Sequence, residues 1–164
     1  MIYIGVDPGL DGGLAAIEDS ALTLNVMPTV AVGARREVDE QAVVAWILDQ
    51  AVAVPCRGDV RIHIELVHAM PGQGVVSMFS FGTGWGLVRG ICAGMGFPYV
   101  LVSPQEWKKA TLPGQPKGSE YLAASRLWPN ADWRRSDRAH SPHSGLVDAA
   151  LIAIYGQMRH RGGG

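Results

Sequence analysis

The chain has 164 residues, of which 48% are hydrophobic and 18% are charged, a composition that fits one globular domain with one core and excludes a disordered chain. The formal net charge of −1 argues against a protein that coats nucleic acid through overall positive charge, although a basic face is still compatible with it. Its two cysteines have no zinc-site spacing, and the chain shows no signal-peptide pattern and no unbroken apolar run of about 18 residues, so we expect a cytoplasmic protein without a membrane partner.

The first predicted elements are three strands joined by tight turns. Ile2 to Asp7 is a short apolar run that ends in an acid before Pro8-Gly9, which predicts a buried strand. Gly12-Gly13 predicts a turn, and the runs Leu14 to Glu18 and Ala21 to Met27 predict two more strands. Together they predict a hairpin meander at the start of a sheet.

The later elements alternate between helices and strands. In chain order we predict a helix over Val38–Val52 capped by Asp39, a strand over Val60–Glu65, a helix over Ser77–Met95, a strand over Tyr99–Val102, a helix entered at Ser103-Pro104, and helices over Lys117–Leu127 and Leu146–Met158. Glycines at 82, 84, 86, 90 and 94 predict that the long helix lies close to another backbone. The predicted fold is α/β, with a mixed five-stranded sheet, helices on both faces, one domain over 1–158 and a flexible tail over 159–164; 70–74 is a predicted loop.

Three acids occupy positions that favour a functional site. Asp7 and Glu65 each end an apolar strand, and Asp148 opens an otherwise apolar helix, where a charge needs a partner or a metal ion. Converging carboxylates suit Mg²⁺ or Mn²⁺, and a pair of such ions commonly catalyses phosphodiester cleavage. The pattern therefore predicts the metal site of a nuclease.

Each of these acids also has a purely structural interpretation. Asp7 is a suitable turn former before Pro8, Glu65 a suitable ion-pair partner on a strand, and Asp148 a suitable cap for its helix. His140 and His143 precede Asp148 closely, so either can ligate a metal or orient a water, or be an ordinary surface or core residue.

Basic residues are concentrated in the stretch 101–140. It holds seven Lys or Arg against four Asp or Glu, a local charge of +3 in a chain of −1. This is either a solvated surface or a phosphate-binding face.

Four segments of the chain resemble the Holliday-junction resolvases of the RuvC type, and more closely their short phage-like relatives. They are IGVDPGLDGGLAAI around Asp7, IHIELVHAMPGQGVVSMFSFG around Glu65, the WKKA and LWP region, and HSGLVDAALIAIYG around Asp148. The resemblance covers nearly the whole chain and implies a ribonuclease H-like fold.

The resemblance also implies the site residues. The family's first Asp falls on Asp7, its Glu on Glu65 and its last Asp on Asp148, and these would bind two Mg²⁺ or Mn²⁺ ions per active site. The position of a fourth acid falls on Gly145, so we place the fourth ligand on His143, with His140 and Asp137 as alternatives. Ser144 is a second departure, because relatives often carry an acid there.

The implied activity is a crossover-junction endonuclease of DNA recombination and repair, acting in a bacterial or phage-infected cytoplasm. A homodimer would nick two strands of a four-way junction symmetrically. The residues that would contact DNA are two aromatic side chains and six basic ones: Phe79, Phe81, Lys108, Lys109, Lys117, Arg134, Arg135 and Arg138. Core or interface packing of the aromatics and a solvated surface for the basic residues are the alternatives.

Other functions are compatible with the same residues. One is a flap, non-specific or ribonuclease H-type nuclease on the same fold. Another is a catalytically inactive module that binds junctions by shape and phosphates. An ATPase is disfavoured because the chain is short and has no P-loop.

Overall fold

The computed structural model describes residues 1–68, 72 and 74–162. Within them the strands are Ile2–Asp7 (β1), Gly13–Glu18 (β2), Ala21–Val26 (β3), Thr29–Val32 (β4), Arg35–Val38 (β5), Val60–Glu65 (β6) and Tyr99–Val102 (β7). The helices are Glu40–Ala51 (α1), Val75–Gly94 (α2), Pro104–Thr111 (α3), Glu120–Leu127 (α4) and Ser144–Arg161 (α5), and Arg57–Asp59 forms a short 3₁₀ turn.

Five strands form one mixed sheet in the order β3-β2-β1-β6-β7. β1 runs antiparallel to β2, with Asp7 opposite Gly13, and parallel to β6, with Ile2 opposite Val60. β6 and β7 are also parallel. The predicted mixed five-stranded sheet is confirmed, and the parallel pairing places the ends of β1 and β6 at the same edge.

Helices cover both faces of the sheet, as predicted. Ile4 and Ile62 point into one core with Val43 of α1 and Val88 of α2. The opposite face packs against α3, α4 and α5, where Trp107 is fully buried. The alternation along β2, with Leu14 in the first core and Ala15 in the second, therefore divides two cores, one on each side of the sheet.

Glycines allow α5 to lie directly on the sheet. A side chain at Gly5 would overlap the backbone of α5 at Ala149 and Ala153. A Cβ at Gly13 would lie 2.6 Å from the carbonyl oxygen of Gly145, in the first turn of the helix. The close contact fixes α5 across β1, with its first turn beside the end of that strand.

The hairpin β4–β5 is an element that the sequence analysis missed. Its strands have four residues each, and apart from Val38 their side chains are largely exposed. A strand that buries almost nothing has no strong hydrophobic alternation, which explains the miss.

The helix ends also differ from the predicted ones. α5 runs to Arg161, so 159–161 are helical and not part of a tail. Basic residues in the last turn suit the helix dipole, and the hydroxyl of Tyr3 lies 2.8 Å from Nδ1 of His160. α4 begins at Glu120 and not at Lys117, because Gly118 has a φ of 89°. The predicted loop over 70–74 lies largely outside the described residues.

One helix, α2, is long and apolar enough to cross a membrane by length and composition. Its mean hydropathy is 1.2 over an 18-residue window, of which 17% is buried. Ser, Thr and Gly residues interrupt its apolar sequence, so the helix contains no unbroken apolar run of about 18 residues. The absence of a membrane partner stays a prediction.

Candidate active site

Three elements bring the predicted acids to one edge of the sheet. Asp7 ends β1, Glu65 ends the adjacent parallel strand β6, and Asp148 lies in the second turn of α5. The approach of α5 to the β1–β2 turn, which the glycines permit, positions Asp148 beside the strand ends. The local sequence therefore supplies the acids, and the packing of α5 assembles them.

The electrostatics of the three acids show that their charges act on one another. Burial raises the pKa of Asp7 to about 7; Glu65 adds to the rise, the Gly9 amide opposes it, and Asp148 adds to it. Burial also raises the pKa of Asp148 to about 6, and that of Glu65 above its usual range. A desolvated group of carboxylates of this kind takes up protons or cations.

Two residues of α3 contact this group. The indole Nε1 of the fully buried Trp107 donates a hydrogen bond of 3.0 Å to Oε1 of Glu65, which orients the carboxylate and opposes the rise in its pKa. Lys108 donates from Nζ to Oε1 of Glu120 at 3.0 Å. Partial burial lowers the pKa of Lys108. The bond to Glu120 and the charges of Asp148, Glu120 and Glu65 outweigh this effect and raise the pKa. Lys108 thus supplies one positive charge to the acidic group.

The pKa of His143, the preferred candidate for a fourth ligand, is not influenced by Asp7, Glu65 or Asp148. His143 is the N-cap residue of α5; burial lowers its pKa, Arg135 lowers it further and Asp11 opposes them. His140 is exposed, and the carboxylate of Asp137 is fully exposed, 4.0 Å from a nitrogen of Arg134. In the described ranges, no three Asp, Glu, His or Cys side chains lie close enough to hold one metal ion.

Gly145 explains one departure from the family pattern. A Cβ at this position would lie 2.6 Å from the carbonyl oxygen of Asp11 and equally close to the backbone of Gly12. An acidic side chain has no space there, because backbone atoms already occupy it. Position 145 therefore cannot supply a metal ligand.

A basic rim borders the β1–β2 turn. Arg36 of β5 and Arg135 both contact Oδ1 of Asp11, at 2.8 and 3.1 Å. Arg134 is paired with Asp132 through two hydrogen bonds, from Nε at 2.8 Å and from a terminal nitrogen at 2.7 Å. Two of the predicted DNA-binding arginines are therefore engaged within the chain.

The other predicted DNA-binding residues differ in exposure. Lys109, Lys117 and Arg138 are exposed, and none of them forms an ion pair with a residue that the structure describes. Phe79 is 76% exposed on α2, whereas Phe81 is partly buried with its ring near Gly9. Phe79 is thus available to a partner, and Phe81 packs beside the turn that follows Asp7.

Comparison with solved structures identifies the fold. Thermus thermophilus RuvC superposes with a TM-score of 0.60 at 18% identity, and 99% of this chain and 97% of that chain are covered. T. thermophilus RuvC in complex with a Holliday junction substrate gives a TM-score of 0.59 at 17% identity with the same coverage. The chain has the fold of RuvC. No protein-family model matches the sequence, and no curated protein has a significant sequence match to it.

On this RuvC fold, four residues around the acids and the β1–β2 turn were missed or only partly interpreted from sequence. Trp107 and Lys108 stand in the WKKA segment, but nothing local shows that the indole reaches Glu65. Glu120 is one acid of a short helix, 12 residues after the lysine it binds. Asp11 looks like a turn residue, and its role as the anchor of two arginines depends on β5 and on the loop before α5. All these contacts are between distant parts of the chain.

Proposed function

We propose that this protein is a metal-dependent endonuclease that resolves four-way DNA junctions by paired symmetric nicks. The observation that carries the proposal is the group of three partly buried, electrostatically interacting carboxylates at one edge of the sheet, on the fold of RuvC. The RuvC structure with a Holliday junction substrate supports branched DNA as the substrate.

The chemistry of the donor set suits a hard divalent cation, although no three of these side chains lie close enough to hold one ion in the described structure. Asp7, Glu65 and Asp148 offer only oxygen ligands, and burial raises the pKa of each, so a bound cation would offset the cost of their charged forms. Lys108 offsets part of the negative charge of these carboxylates, but its bond to Glu120 reduces the positive charge that it offers them. We assign two Mg²⁺ or Mn²⁺ ions to these carboxylates; when bound, such ions activate water and stabilise the leaving oxygen.

The fourth ligand is assigned to His143, ahead of His140 and Asp137. Its ring is partly buried at the start of α5, and its Nδ1 is buried with no hydrogen-bond partner among the described residues. An unpartnered ring nitrogen is available to a metal or a water molecule. His140 and Asp137 are exposed.

Trp107 and Lys108 act as positioning residues in this scheme. The Trp107 indole holds Glu65 in one orientation from a buried position, which keeps that carboxylate pointed toward the site. Lys108 lies close enough to Glu65 and Asp148 to influence both, and it is available to a phosphate near them. The exposed Lys109, Lys117 and Arg138 are assigned to phosphates of the arms.

A homodimer would supply the two active sites that symmetric nicking requires. Gly82, Gly86, Gly90 and Gly94 recur every four residues along α2, and apart from the adjacent residues and backbone of the helix itself, no described atom lies within 4 Å of a Cβ built on any of them. Gly84, Val88 and Cys92, on the opposite side of the helix, are buried. The open glycine stripe and the low burial of α2 favour a second copy of this helix as its partner.

The proposal is tested by cleavage of a panel of DNA substrates. We expect Mg²⁺- or Mn²⁺-dependent cutting of mobile and immobile four-way junctions into ligatable duplexes, and much weaker cutting of flaps, linear duplexes and RNA–DNA hybrids. Asp7→Asn should abolish cutting and retain junction binding, whereas Asp49→Asn, at an exposed position of α1, should cut normally.

Other outcomes would replace the proposal. Equal cutting of flaps or hybrids would support a nuclease of broader specificity. Junction binding with no cutting under either ion would support an inactive binding module. Normal cutting by Asp7→Asn would remove the assigned site.

A further inference from the structure

A second polar cavity lies on the α5 face of the sheet, away from the acids. It has a volume of about 340 Å³ and is lined by Tyr3, Arg61 and His63 from the strands and by Arg159 and His160 from α5. Tyr3 and Arg61 are directly opposite each other in the β1–β6 register. Asp7 stands four residues further along β1, about 13 Å at the usual rise per residue, so the cavity is separate from the candidate active site.

The cavity has an excess of positive charge. Arg61 and Arg159 are permanent cations, and neither forms an ion pair within the described part of the chain. The acid in the lining is Glu106, and its carboxylate is already bound to the backbone and hydroxyl of Ser103 in the capping box of α3. Those bonds and, less strongly, Arg159 lower the pKa of Glu106, so it keeps its negative charge, but one carboxylate leaves the two arginines with a net positive charge at the cavity.

Two nitrogen atoms in the lining are buried and have no protein partner. They are Nε of Arg61 and Nδ1 of His63, and the His63 residue is only 8% exposed. Buried polar nitrogens normally have a hydrogen-bond partner, so an acceptor is missing beside Nε of Arg61, which can only donate. Burial lowers the pKa of His63 to about 4, so its ring is neutral, and its Nδ1 lies against α5, where a Cβ on Gly156 would overlap it.

We propose that this cavity binds a phosphate group. Two guanidinium groups line it together with the imidazoles of His63 and His160, the latter bonded through Nδ1 to Tyr3, and a phosphate has enough oxygen atoms to accept hydrogen bonds from several donors at once. The phosphate belongs either to a nucleotide-sized ligand or to a DNA strand. The site does not depend on nuclease activity, because none of its lining residues is among the assigned metal ligands.

The test is titration of the full-length protein, without added metal, with inorganic phosphate, a 5′-mononucleotide and a short DNA duplex. Calorimetry measures affinity, and NMR signals of the His63 ring report contact at the cavity. We expect saturable phosphate binding that shifts these signals. Arg159→Gln should weaken binding roughly ten- to a hundredfold, because a hydrogen bond to a charged group is lost.

Arg126→Gln is the matched control, because Arg126 is an exposed arginine of α4 that does not line the cavity. It should leave phosphate binding unchanged. Arg61→Gln should act like Arg159→Gln if it folds, and the exposed position of Arg159 keeps the test valid if it does not.

The three ligands distinguish the source of the phosphate. If the mononucleotide binds more tightly than inorganic phosphate and Arg159→Gln loses this binding, the result supports a small ligand. Weaker duplex binding by Arg159→Gln than by Arg126→Gln supports a DNA phosphate. No saturable binding, no shift at His63, or equal losses in both variants would overturn the proposal.

Discussion

At the scale of the residue, Gly145 shows how one missing side chain shapes the site. The backbone of Asp11 and Gly12 fills the space that a Cβ would take, so the start of α5 meets the β1–β2 turn at its closest possible approach. Asp148, one turn further on, reaches the strand ends because of this contact. Position 145 therefore serves the packing of α5 against the β1–β2 turn.

We predict that Gly145→Ala lowers the free energy of unfolding by roughly 1–3 kcal/mol, because the new methyl group has to displace backbone. Ser144→Ala, at the exposed neighbouring position, should change it by less than about 0.5 kcal/mol. Denaturant unfolding measures both. Equal stability of the two variants would mean that α5 shifts without strain.

The buried charge of Asp7 leads to a prediction on pH and metal. Its folded pKa of about 7 lies above the ordinary 3.8, so the folded state holds a proton that the unfolded state has released. The contribution of Asp7 to stability is therefore present below pH 4 and is lost as the pH rises to about 7. At pH 8 without metal, Asp7→Asn should melt at a higher temperature than the parent chain, since the amide needs no charge there.

Addition of Mg²⁺ at pH 8 should raise the melting temperature of the parent chain, because binding to the folded state stabilises it. The same addition should have little effect on Asp7→Asn, and Asp49→Asn should respond like the parent. Proton and metal compete, so the effect of Mg²⁺ should weaken at pH 5.5. A variant less stable than the parent at pH 8 would contradict the assigned cause of the pKa shift.

At the scale of the element, α2 has two different faces. Gly84, Val88 and Cys92 pack toward the sheet, whereas the stripe at 82, 86, 90 and 94 has open space beside it, about 200° around the helix. Trp85 anchors the helix by donating from its indole to the carbonyl oxygen of Glu65 at 3.1 Å. A dimer formed through α2 would therefore be attached directly to the strand that carries a site residue.

We predict that Gly86→Leu converts the dimer to a monomer, because the side chain prevents close approach of two helices. Leu also favours a helix more than Gly does, so the monomer should stay folded. Ala45→Leu, on the exposed side of α1, is the control and should stay dimeric. Sedimentation measures the mass, and a dimeric Gly86→Leu protein would exclude this interface.

At the scale of the whole molecule, the net charge is small and the basic side chains are concentrated in one region. The net charge is −1, yet Lys109, Lys117 and Arg138 are exposed in a region with net positive charge, while Arg134 and Arg135 are held by acids. Junction affinity should therefore depend on few phosphate contacts and fall with salt through them.

We predict that Lys117→Gln lowers the slope of log affinity against log salt concentration by about 0.9, the loss of one phosphate contact. Arg134→Gln should lower it less, because Asp132 competes for that guanidinium. Arg126→Gln should leave it unchanged. Fluorescence anisotropy with a labelled junction gives all three slopes, and equal slopes for Lys117→Gln and the parent would remove Lys117 from the interface.

The sequence by itself determined the features that depend on near neighbours in the chain. The alternation in Val60–Glu65, the apolar run before Asp7 and the Ser103 cap of α3 predicted elements that the structure confirms. Acids at strand ends were predictable because parallel strands end at the same sheet edge.

Only the tertiary structure decided how those acids are surrounded. The contact of Trp107 with Glu65, the pair of Lys108 and Glu120, and the exclusion of a side chain at Gly145 all join residues that are distant in sequence. The sequence periodicities report which face a residue is on, but they carry no information on which distant residue meets it there. For that reason Asp7, Glu65 and Asp148 could be predicted as a group from the sequence, while the contacts of Trp107 and Lys108 around them became visible only once α3 and α5 were packed against the sheet.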